Sequence, residues 1–472
     1  MAESNRDDRL TGSIIVVALV SAISGLLYGY DTGIISGALL QIGEDFDIGH
    51  GWEQVIAASI LVGAVIGALT CSRLAERRGR HGTLLLIGIV FVVGTIAAAF
   101  SPDPITLSLS RLVLGFAVGG ATQTAPVYVA ELAPTAHRGR LVLFFQIAIG
   151  VGIVIATIVG ATEVIDWRIA IGLAAVPAAI MFFLMLRLPE SPRWLAREGH
   201  VDRARESLAR VRHPDSDLTA EFDEIQQNVR DEKQASTRGW SGLKAAWVRP
   251  ALVVGCGLAI FTQLSGIEMI VYYTPTILTD NGFSDTTALR VSVALGLTYL
   301  IAQLIGLAVI DRVGRRRLTL MTLPCAALAL IVLGTFFVTG NDGKSMIPWI
   351  IATLIAFMAF TAGGIQLMGW LTGSEIYPLA TRAAGAAAQS ASLWGTNVLI
   401  TLSLLSIMKA IGTGQTFWLY ALFNVIAFVF LYRKMPELTG RSLEEIEDHL
   451  EKKKFTPADF ASPKGQASPT TG

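Results

Sequence analysis

The chain has 472 residues, of which 52% are apolar and only 16% are charged, and its formal net charge is zero. A soluble globular protein carries about a quarter charged residues, so this composition indicates an integral membrane protein, and the balanced charge argues against a nucleic-acid partner. The three cysteines lie in or beside apolar runs without metal-ligand spacing, so we expect neither a disulfide framework nor a metal site.

Apolar segments long enough to cross a bilayer, which takes about 20 helical residues, recur along almost the whole chain. No cleavable signal peptide is expected, because the first twelve residues are polar and the apolar run after them is too long. Twelve spans are predicted, near residues 13–40, 53–73, 83–100, 105–132, 140–162, 168–188, 250–279, 287–310, 318–339, 347–376, 382–408 and 414–433.

The first span places an acid, Asp31, well inside an apolar sequence. Glycines recur there every four residues and predict a smooth helical stripe that another helix can approach closely: Gly25, Gly29, Gly33 and Gly37. An ionisable group is costly in lipid, so Asp31 should face the protein interior or a water-filled cavity. Its candidate partner is Arg111, alone in the fourth span. At 1.5 Å per residue the two lie roughly 15 and 10 Å below the outer ends of their spans, which are compatible depths.

Lysine and arginine predict the orientation in the membrane. With both termini cytoplasmic, only four basic residues lie in the outer loops or their margins: Arg168, Arg290, Lys344 and Lys409. The predicted domains are an N-terminal six-helix bundle (1–188), a cytoplasmic linker with short helices (189–249), a C-terminal six-helix bundle (250–434) and a cytoplasmic tail (435–472). The tail holds one helical piece, 443–450, before a Pro-, Ser- and Thr-rich end that is predicted to be disordered.

The two bundles repeat the same motifs in the same order. Glu131, Pro134 and Arg138 follow the fourth span, and Glu375, Pro378 and Arg382 follow the tenth span 244 residues later. Ala-Glu-Arg-Arg-Gly-Arg (75–80) matches Ile-Asp-Arg-Val-Gly-Arg (310–315), and Pro189-Glu190 matches Pro436-Glu437. Parallel repeats of this kind are typical of transporters whose binding site lies between the halves near mid-membrane.

The duplicated loop motif resembles the signature of the major facilitator superfamily. More specific motifs resemble its sugar porter family, which includes bacterial xylose–proton symporters and animal glucose facilitators. They are Tyr28-Gly-Tyr-Asp-Thr-Gly, Arg111 with Gly115 and Gly119, Pro189-Glu-Ser-Pro-Arg-Trp-Leu, and Pro436-Glu-Leu-Thr-Gly-Arg-Ser-Leu-Glu-Glu. The resemblance covers about residues 13–450. It implies an all-α fold of twelve transmembrane helices in two pseudo-symmetric bundles and transport by alternating access.

The resemblance also implies cytoplasmic ion-pair clasps, which should favour the outward-open state because they lie on the inner face. The alternative is that these charged residues only set the orientation of the chain in the membrane and keep the same surroundings throughout. The residues concerned are Glu76, Arg77, Arg80, Glu131, Arg138, Glu190, Arg193, Asp311, Arg312, Arg315, Glu375, Arg382 and Glu437.

In proton-coupled members of the family, the aspartate that matches Asp31 carries the proton, and the arginine that matches Arg111 holds this aspartate. Facilitators have a neutral residue at the aspartate position. The resemblance therefore implies a proton symporter that needs no other cofactor. Arg111 favours ionised Asp31 and desolvation favours the neutral acid, so the balance can change between conformations. The alternatives are a permanent structural salt bridge and a facilitator in which Asp31 is vestigial.

The family's sugar site maps onto several residues of this chain. Gln146 and Gln263 align with glutamines that bind sugar hydroxyls, and Trp370 aligns with the tryptophan under the sugar ring. Trp394 and Asn397 align with the pair of site residues in the family's eleventh span. Tyr272 and Tyr273 match the aromatic pair that gates the outer side.

This chain departs from the family pattern at the site. Thr262 stands where the seventh span has its first glutamine, and Glu268 where it has an asparagine. Leu393 and Ile153 replace amides, and the tenth span reads Gln366-Leu-Met-Gly-Trp370, without the usual prolines. Glu268 has three interpretations: it accepts hydrogen bonds as asparagine would, it is a second titrating group, or it marks a substrate outside ordinary hexoses, such as a polyol or an amino sugar.

The competing functions are a passive sugar facilitator, a proton-coupled carrier of a non-sugar metabolite, and a transporter-like sugar sensor. About 38 residues follow the last span, which are too few for a signalling domain. Neither a nucleophile–base set nor a phosphate-binding loop stands out in the sequence, so an enzyme is not expected. The expected partners are a sugar or polyol and the lipid bilayer, and we expect a monomer in a plasma membrane or bacterial inner membrane. The motifs do not select among pentoses, hexoses and polyols.

Overall fold

The fold is that of a computed structural model, which describes residues 11–134, 137–162, 165–214, 216–234, 239–340, 346–441, 443–452 and 454–460. Within these ranges the chain forms twenty α-helices and no strand. The helices are α1 (Gly12–Asp45), α2 (His50–Arg78), α3 (Arg80–Ala99), α4 (Pro104–Leu132), α5 (Arg138–Gly160), α6 (Trp167–Gly172), α7 (Ala175–Met185), α8 (Pro192–Arg197), α9 (Val201–Val211), α10 (Leu218–Gln234), α11 (Gly239–Gly242), α12 (Arg249–Leu264), α13 (Ile267–Asp280), α14 (Asp285–Val313), α15 (Arg315–Val338), α16 (Ile347–Ala362), α17 (Ile365–Glu375), α18 (Arg382–Ile411), α19 (Thr413–Lys434) and α20 (Leu443–Glu451).

Twelve helical segments of the described chain are long and apolar enough to cross a membrane, which confirms the predicted all-α, twelve-span fold class. Nine of these spans are single helices. The sixth, seventh and tenth are each broken into two helices, as α6–α7, α12–α13 and α16–α17. The short helices α8–α11 lie between the sixth and seventh spans and define what we call the linker end of the bundle; the opposite end is the far end.

The glycine stripe of α1 packs against α5. A Cβ atom on Gly29 would collide with the carbonyl oxygen of Ile149, and one on Gly33 would lie 2.8 Å from the Cβ of Ala156. Only glycine therefore lets the two backbones come this close. The predicted close helix approach is confirmed, and the structure identifies α5 as the neighbour.

The two halves meet through helices that lie side by side: α1 with α13, α2 with α18, and α5 with α14. At the far end, His50 Nε2 of α2 lies 3.3 Å from Asp280 Oδ2 of α13, and Gln54 Nε2 donates to Ser406 Oγ at 3.0 Å. These polar contacts join the halves at the end opposite the linker.

The break in the seventh span is a local consequence of the sequence. Gly266 has a φ of 96°, a left-handed conformation that glycine adopts without steric cost. The carbonyl group of Ser265, freed at the end of α12, accepts a hydrogen bond of 2.9 Å from Asn424 Nδ2 on α19. As a result Glu268 lies in the first turn of α13.

Candidate functional site

The repeated Pro-Glu motifs cap helices at the linker end. In the N-terminal half, Glu190 Oε1 accepts hydrogen bonds from the backbone N–H groups of Arg80 (2.9 Å) and His81 (3.1 Å) at the start of α3. The preceding residue, Gly79, has a φ of 91°. A carboxylate at the amino end of a helix satisfies free N–H groups and interacts favourably with the helix dipole.

The C-terminal half repeats this arrangement at the start of α15. Glu437 accepts from the backbone N–H groups of Arg315 (2.9 Å) and Arg316 (3.1 Å). Gly314 has a φ of 100°, and a Cβ atom on it would lie 2.5 Å from Glu437 Oε2. The internal repeat of the sequence therefore reflects a repeated carboxylate cap.

The ion pairs at the linker end tie residues within one half. Arg80 pairs with Glu131 at 2.8 Å and joins α3 to α4, whereas Arg315 pairs with Asp311 at 2.9 Å around the α14–α15 turn. Neither pair crosses between the halves. Each of these two pairs lies inside its own repeat, and the role of the set as clasps that favour the outward-open state stays a prediction.

The other members of the predicted set have varied surroundings. The carbonyl group of Glu76 accepts hydrogen bonds from Trp194 Nε1 (2.8 Å) and Arg197 Nη2 (2.7 Å) of α8. Arg382 Nε donates to the carbonyl group of Tyr377 at 3.3 Å. Of the remaining members, Arg77 and Arg312 are exposed, Arg193 is half-buried in α8, and the side chains of Arg138 and Glu375 lie outside the described residues.

Asp31 and Arg111 are both buried between the helices of the N-terminal half, at 4% and 0% exposure. The Arg111 Nε donates to the carbonyl group of Ile56 on α2 at 2.9 Å. Its Nη1 and Nη2 have no hydrogen-bond partner in the described protein. Asp31 is close enough to interact with Arg111 electrostatically, but the two form no direct ion pair in the part of the chain that the structure describes.

A small buried cavity lies beside Asp31. Its walls include Tyr28 and Thr32 of α1, Tyr272 of α13 and Trp394 of α18. The cavity is therefore bounded by helices of both halves. It brings the acid of the first span next to a tryptophan of the eleventh.

Three aromatic rings cluster at the same place. Tyr28 lies with its ring centroid 6.0 Å from that of Trp370 and 5.2 Å from that of Trp394, and the two tryptophans are 6.1 Å apart. All three pairs meet edge to face. Such rings offer apolar faces to a sugar ring, while the Trp394 Nε1, which has no partner in the described protein, offers a hydrogen-bond donor.

Four of the predicted sugar-binding side chains are buried and carry polar atoms that have no hydrogen-bond partner among the described residues. Gln146 and Gln263 have both amide atoms unpaired, and Glu268 Oε2 and Asn397 Nδ2 are likewise unpaired among the described residues. A buried polar atom without a hydrogen bond costs roughly 1–3 kcal/mol, so such a concentration indicates a site for a polar ligand. Glu268 also lies within electrostatic range of Tyr28 and Tyr272.

Other predicted residues make contacts within the protein. The Thr262 hydroxyl donates to the carbonyl groups of Leu258 (2.8 Å) and Ile365 (3.3 Å) and so ties α12 to α17. The Tyr273 hydroxyl donates to the carbonyl group of Thr401 at 3.0 Å. Tyr272 lines the cavity beside Asp31. The gate role of the tyrosine pair stays a prediction.

Sequence reasoning did not assign a role to two further buried amides. Gln303 of α14 is 1% exposed and Gln366 of α17 is 2% exposed. Gln366 Nε2 reaches the hydroxyl group of Tyr299 at 3.5 Å. The available signal was an amide placed between apolar neighbours inside a span, as in Ile-Ala-Gln303-Leu-Ile.

Comparison with known proteins identifies the family. Residues 17–450 match the family model described as "Sugar (and other) transporter". The chain belongs to this family. The resemblance to the sugar porters of the major facilitator superfamily is confirmed, and this sugar transporter family member is a multi-pass membrane transporter and not an enzyme.

Relatives of this transporter match it along nearly their whole length. The D-xylose transporter of Levilactobacillus brevis is 36% identical over 93% of this chain and 96% of its own. The major myo-inositol transporter IolT of Bacillus subtilis is 33% identical over 94% of this chain and 96% of its own.

Solved structures share the fold of this transporter. The partially occluded inward-open conformation of the xylose transporter XylE from E. coli superposes with a TM-score of 0.79 at 25% identity, covering 92% of this chain and 100% of that one. The proton:xylose symporter XylE bound to 6-bromo-6-deoxy-D-glucose gives a TM-score of 0.77 at 25% identity, covering 93% of this chain and 99% of that one.

Proposed function

We propose that this chain is a proton-coupled symporter of a monosaccharide or related polyol, with Asp31 as the proton carrier. The relatives named as D-xylose and myo-inositol transporters support a sugar or polyol as substrate. The likeness to a protein described as a proton:xylose symporter supports the proton as the coupling ion.

One observation carries this proposal: Asp31 lines the same buried cavity as Tyr28 and Trp394. A proton on Asp31 removes a buried negative charge and the attraction that Arg111 exerts on it. Tyr28 is one helical turn before Asp31 on α1 and belongs to the aromatic cluster. A shift of α1 on protonation therefore changes the walls of the sugar site, which links the two ligands.

The way the halves meet supports transport by alternating access. We take both termini as cytoplasmic, as the distribution of lysine and arginine predicts, so the far end is the outer end. The His50–Asp280 and Gln54–Ser406 contacts then close the outer side and must separate when the site opens outward. Since both halves contribute to the site, one chain suffices as the transport unit, in a plasma membrane or bacterial inner membrane.

A second candidate is a proton-coupled carrier of a cationic polar solute, such as an amino sugar. It is favoured by Glu268, which is 4% exposed and has an oxygen without a hydrogen-bond partner in the described protein. A buried carboxylate without a partner is costly, and a bound ammonium group would supply the missing charge.

Uptake by purified protein in liposomes tests these proposals. A pH gradient is imposed, pentoses, hexoses, inositols and amino sugars are offered in turn, and internal pH is followed with labelled solute. Accumulation of a neutral sugar only when the outside is acidic supports symport. Equilibration without accumulation identifies a facilitator, and movement of amino sugars alone supports the second candidate.

A further inference from the structure

Two buried amides, Gln303 of α14 and Gln366 of α17, do not belong to the predicted sugar-binding set. Both amide atoms of Gln303 and the Oε1 of Gln366 have no hydrogen-bond partner in the described protein. The one contact of Gln366 is its Nε2, which reaches the Tyr299 hydroxyl at the long distance of 3.5 Å. Protein interiors rarely leave amides in this state, so these side chains are suited to bind a polar ligand.

Contacts of α14 connect these amides with the substrate site. Gly150 on α5 lies one turn beyond Gln146, and a Cβ atom on it would lie 2.9 Å from Gln303 Oε1. The Gln303 amide therefore points at the face of α5 that carries Gln146. One turn before Gln303, Tyr299 lies within electrostatic range of Glu268. Gln303 thus faces α5, and Gln366 contacts Tyr299, which lies within electrostatic range of the acid of α13.

At three positions where the family has amides, this chain has other residues. Thr262 bonds to backbone carbonyl groups, and Leu393 and Ile153 are apolar and buried. A polyhydroxylated ring needs hydrogen-bond donors and acceptors around its edge. The unpaired amides of α14 and α17 can supply donors and acceptors that these three positions do not.

We propose that Gln303 and Gln366 bind the hydroxyl groups of the substrate and so set the sugar or polyol selectivity of this chain. This proposal rests on the proposed function, because it assumes that the ligand is a polyhydroxylated ring. Each amide then donates to and accepts from hydroxyl groups that replace the hydrogen bonds missing in the unliganded protein.

Methionine variants test the proposal, because methionine is similar in length to glutamine and apolar. Gln303→Met and Gln366→Met should each weaken substrate binding roughly fivefold to tenfold, the effect of losing a hydrogen bond. The apparent Tm of the unliganded protein should stay equal or rise, because an unpaired buried amide is removed. Binding is measured by isothermal titration with the sugar that wild-type liposomes take up, and Tm by intrinsic fluorescence.

Gln389 provides the matched control for the stability measurement. It is also a buried amide, but its Nε2 donates to the carbonyl group of Gly369 at 2.9 Å and its Oε1 accepts from the Tyr377 hydroxyl at 3.1 Å. Gln389→Met should therefore lower the Tm. A drop in Tm of the same size in Gln303→Met, with affinity retained, would assign Gln303 a structural role and overturn the proposal for it.

Different outcomes would overturn this inference and the proposed function. If the wild type takes up a sugar and both methionine variants bind it with unchanged affinity, the inference is wrong and the proposed function stands. If the wild type takes up none of the sugars or polyols, both are overturned.

Discussion

The Asp31 carboxyl and the Arg111 guanidinium are buried on neighbouring helices without forming a salt bridge in the described structure. Arg111 instead donates a hydrogen bond from its Nε to the carbonyl group of Ile56, and its two terminal nitrogens have no hydrogen-bond partner among the described residues. The arginine is thus held by α2, while the acid faces the cavity at the aromatic cluster. A direct ion pair with the guanidinium would favour the ionised acid, and the described structure contains no such pair.

Replacing Asp31 should separate transport from coupling. Asp31→Asn keeps the shape of the side chain but cannot lose a proton at neutral pH. In liposomes with an acidic exterior, we expect the accumulation ratio to fall to about one while exchange of labelled for unlabelled sugar continues. Accumulation at the wild-type level would contradict the role of Asp31 as proton carrier.

Replacing Arg111 should change the pH at which uptake is half-maximal. The positive charge favours the ionised acid, so its removal makes protonation of Asp31 easier. With Arg111→Met, half-maximal uptake should therefore move to higher external pH. Arg111→Lys retains the charge and serves as the control, with a smaller displacement. A displacement toward lower pH in Arg111→Met would show that the arginine does not act on the acid in this way.

Glu268→Gln distinguishes the interpretations of Glu268. We expect the carboxyl to accept hydrogen bonds from substrate hydroxyl groups, so the amide should weaken sugar binding by about 1 kcal/mol, or roughly fivefold, and leave accumulation intact. Affinity and accumulation are measured on the same preparation. Loss of accumulation with exchange retained would identify Glu268 as a second titrating group instead.

Gly79 and Gly314 should be intolerant of a side chain. Both have a positive φ, and the space that a Cβ atom needs is filled by the carboxylates of Glu190 and Glu437. Alanine at either position should lower the free energy of unfolding by roughly 1–3 kcal/mol. Gly82→Ala is the control, because nothing lies within 4 Å of its Cβ position inside α3. Thermal unfolding in detergent measures the stability of the alanine variants and of the control. Equal stability of Gly79→Ala and Gly82→Ala would refute the packing argument.

The sequence alone determined the features that depend on local composition and spacing. Hydropathy was sufficient for the twelve spans, because each must bury about 20 apolar residues in lipid. The repeat of Glu190 as Glu437 indicated two equivalent halves, and the burial of Asp31 and Arg111 followed from the cost of charge in a membrane. The resemblance supplied Gln146, Gln263 and Trp394, which all prove to be buried.

Only the tertiary structure decided which side chains meet. The glycine stripe of α1 could have received any neighbouring helix, and packing assigns it to α5. The Arg80–Glu131 and Arg315–Asp311 pairs each stay within one half, and Gln303 faces Gly150 of α5. Asp31 and Arg111 form no direct ion pair among the described residues. These outcomes depend on the rotation of each helix about its axis and on the helix it faces. Those quantities are set by packing between distant parts of the chain, and no local pattern of residues encodes them.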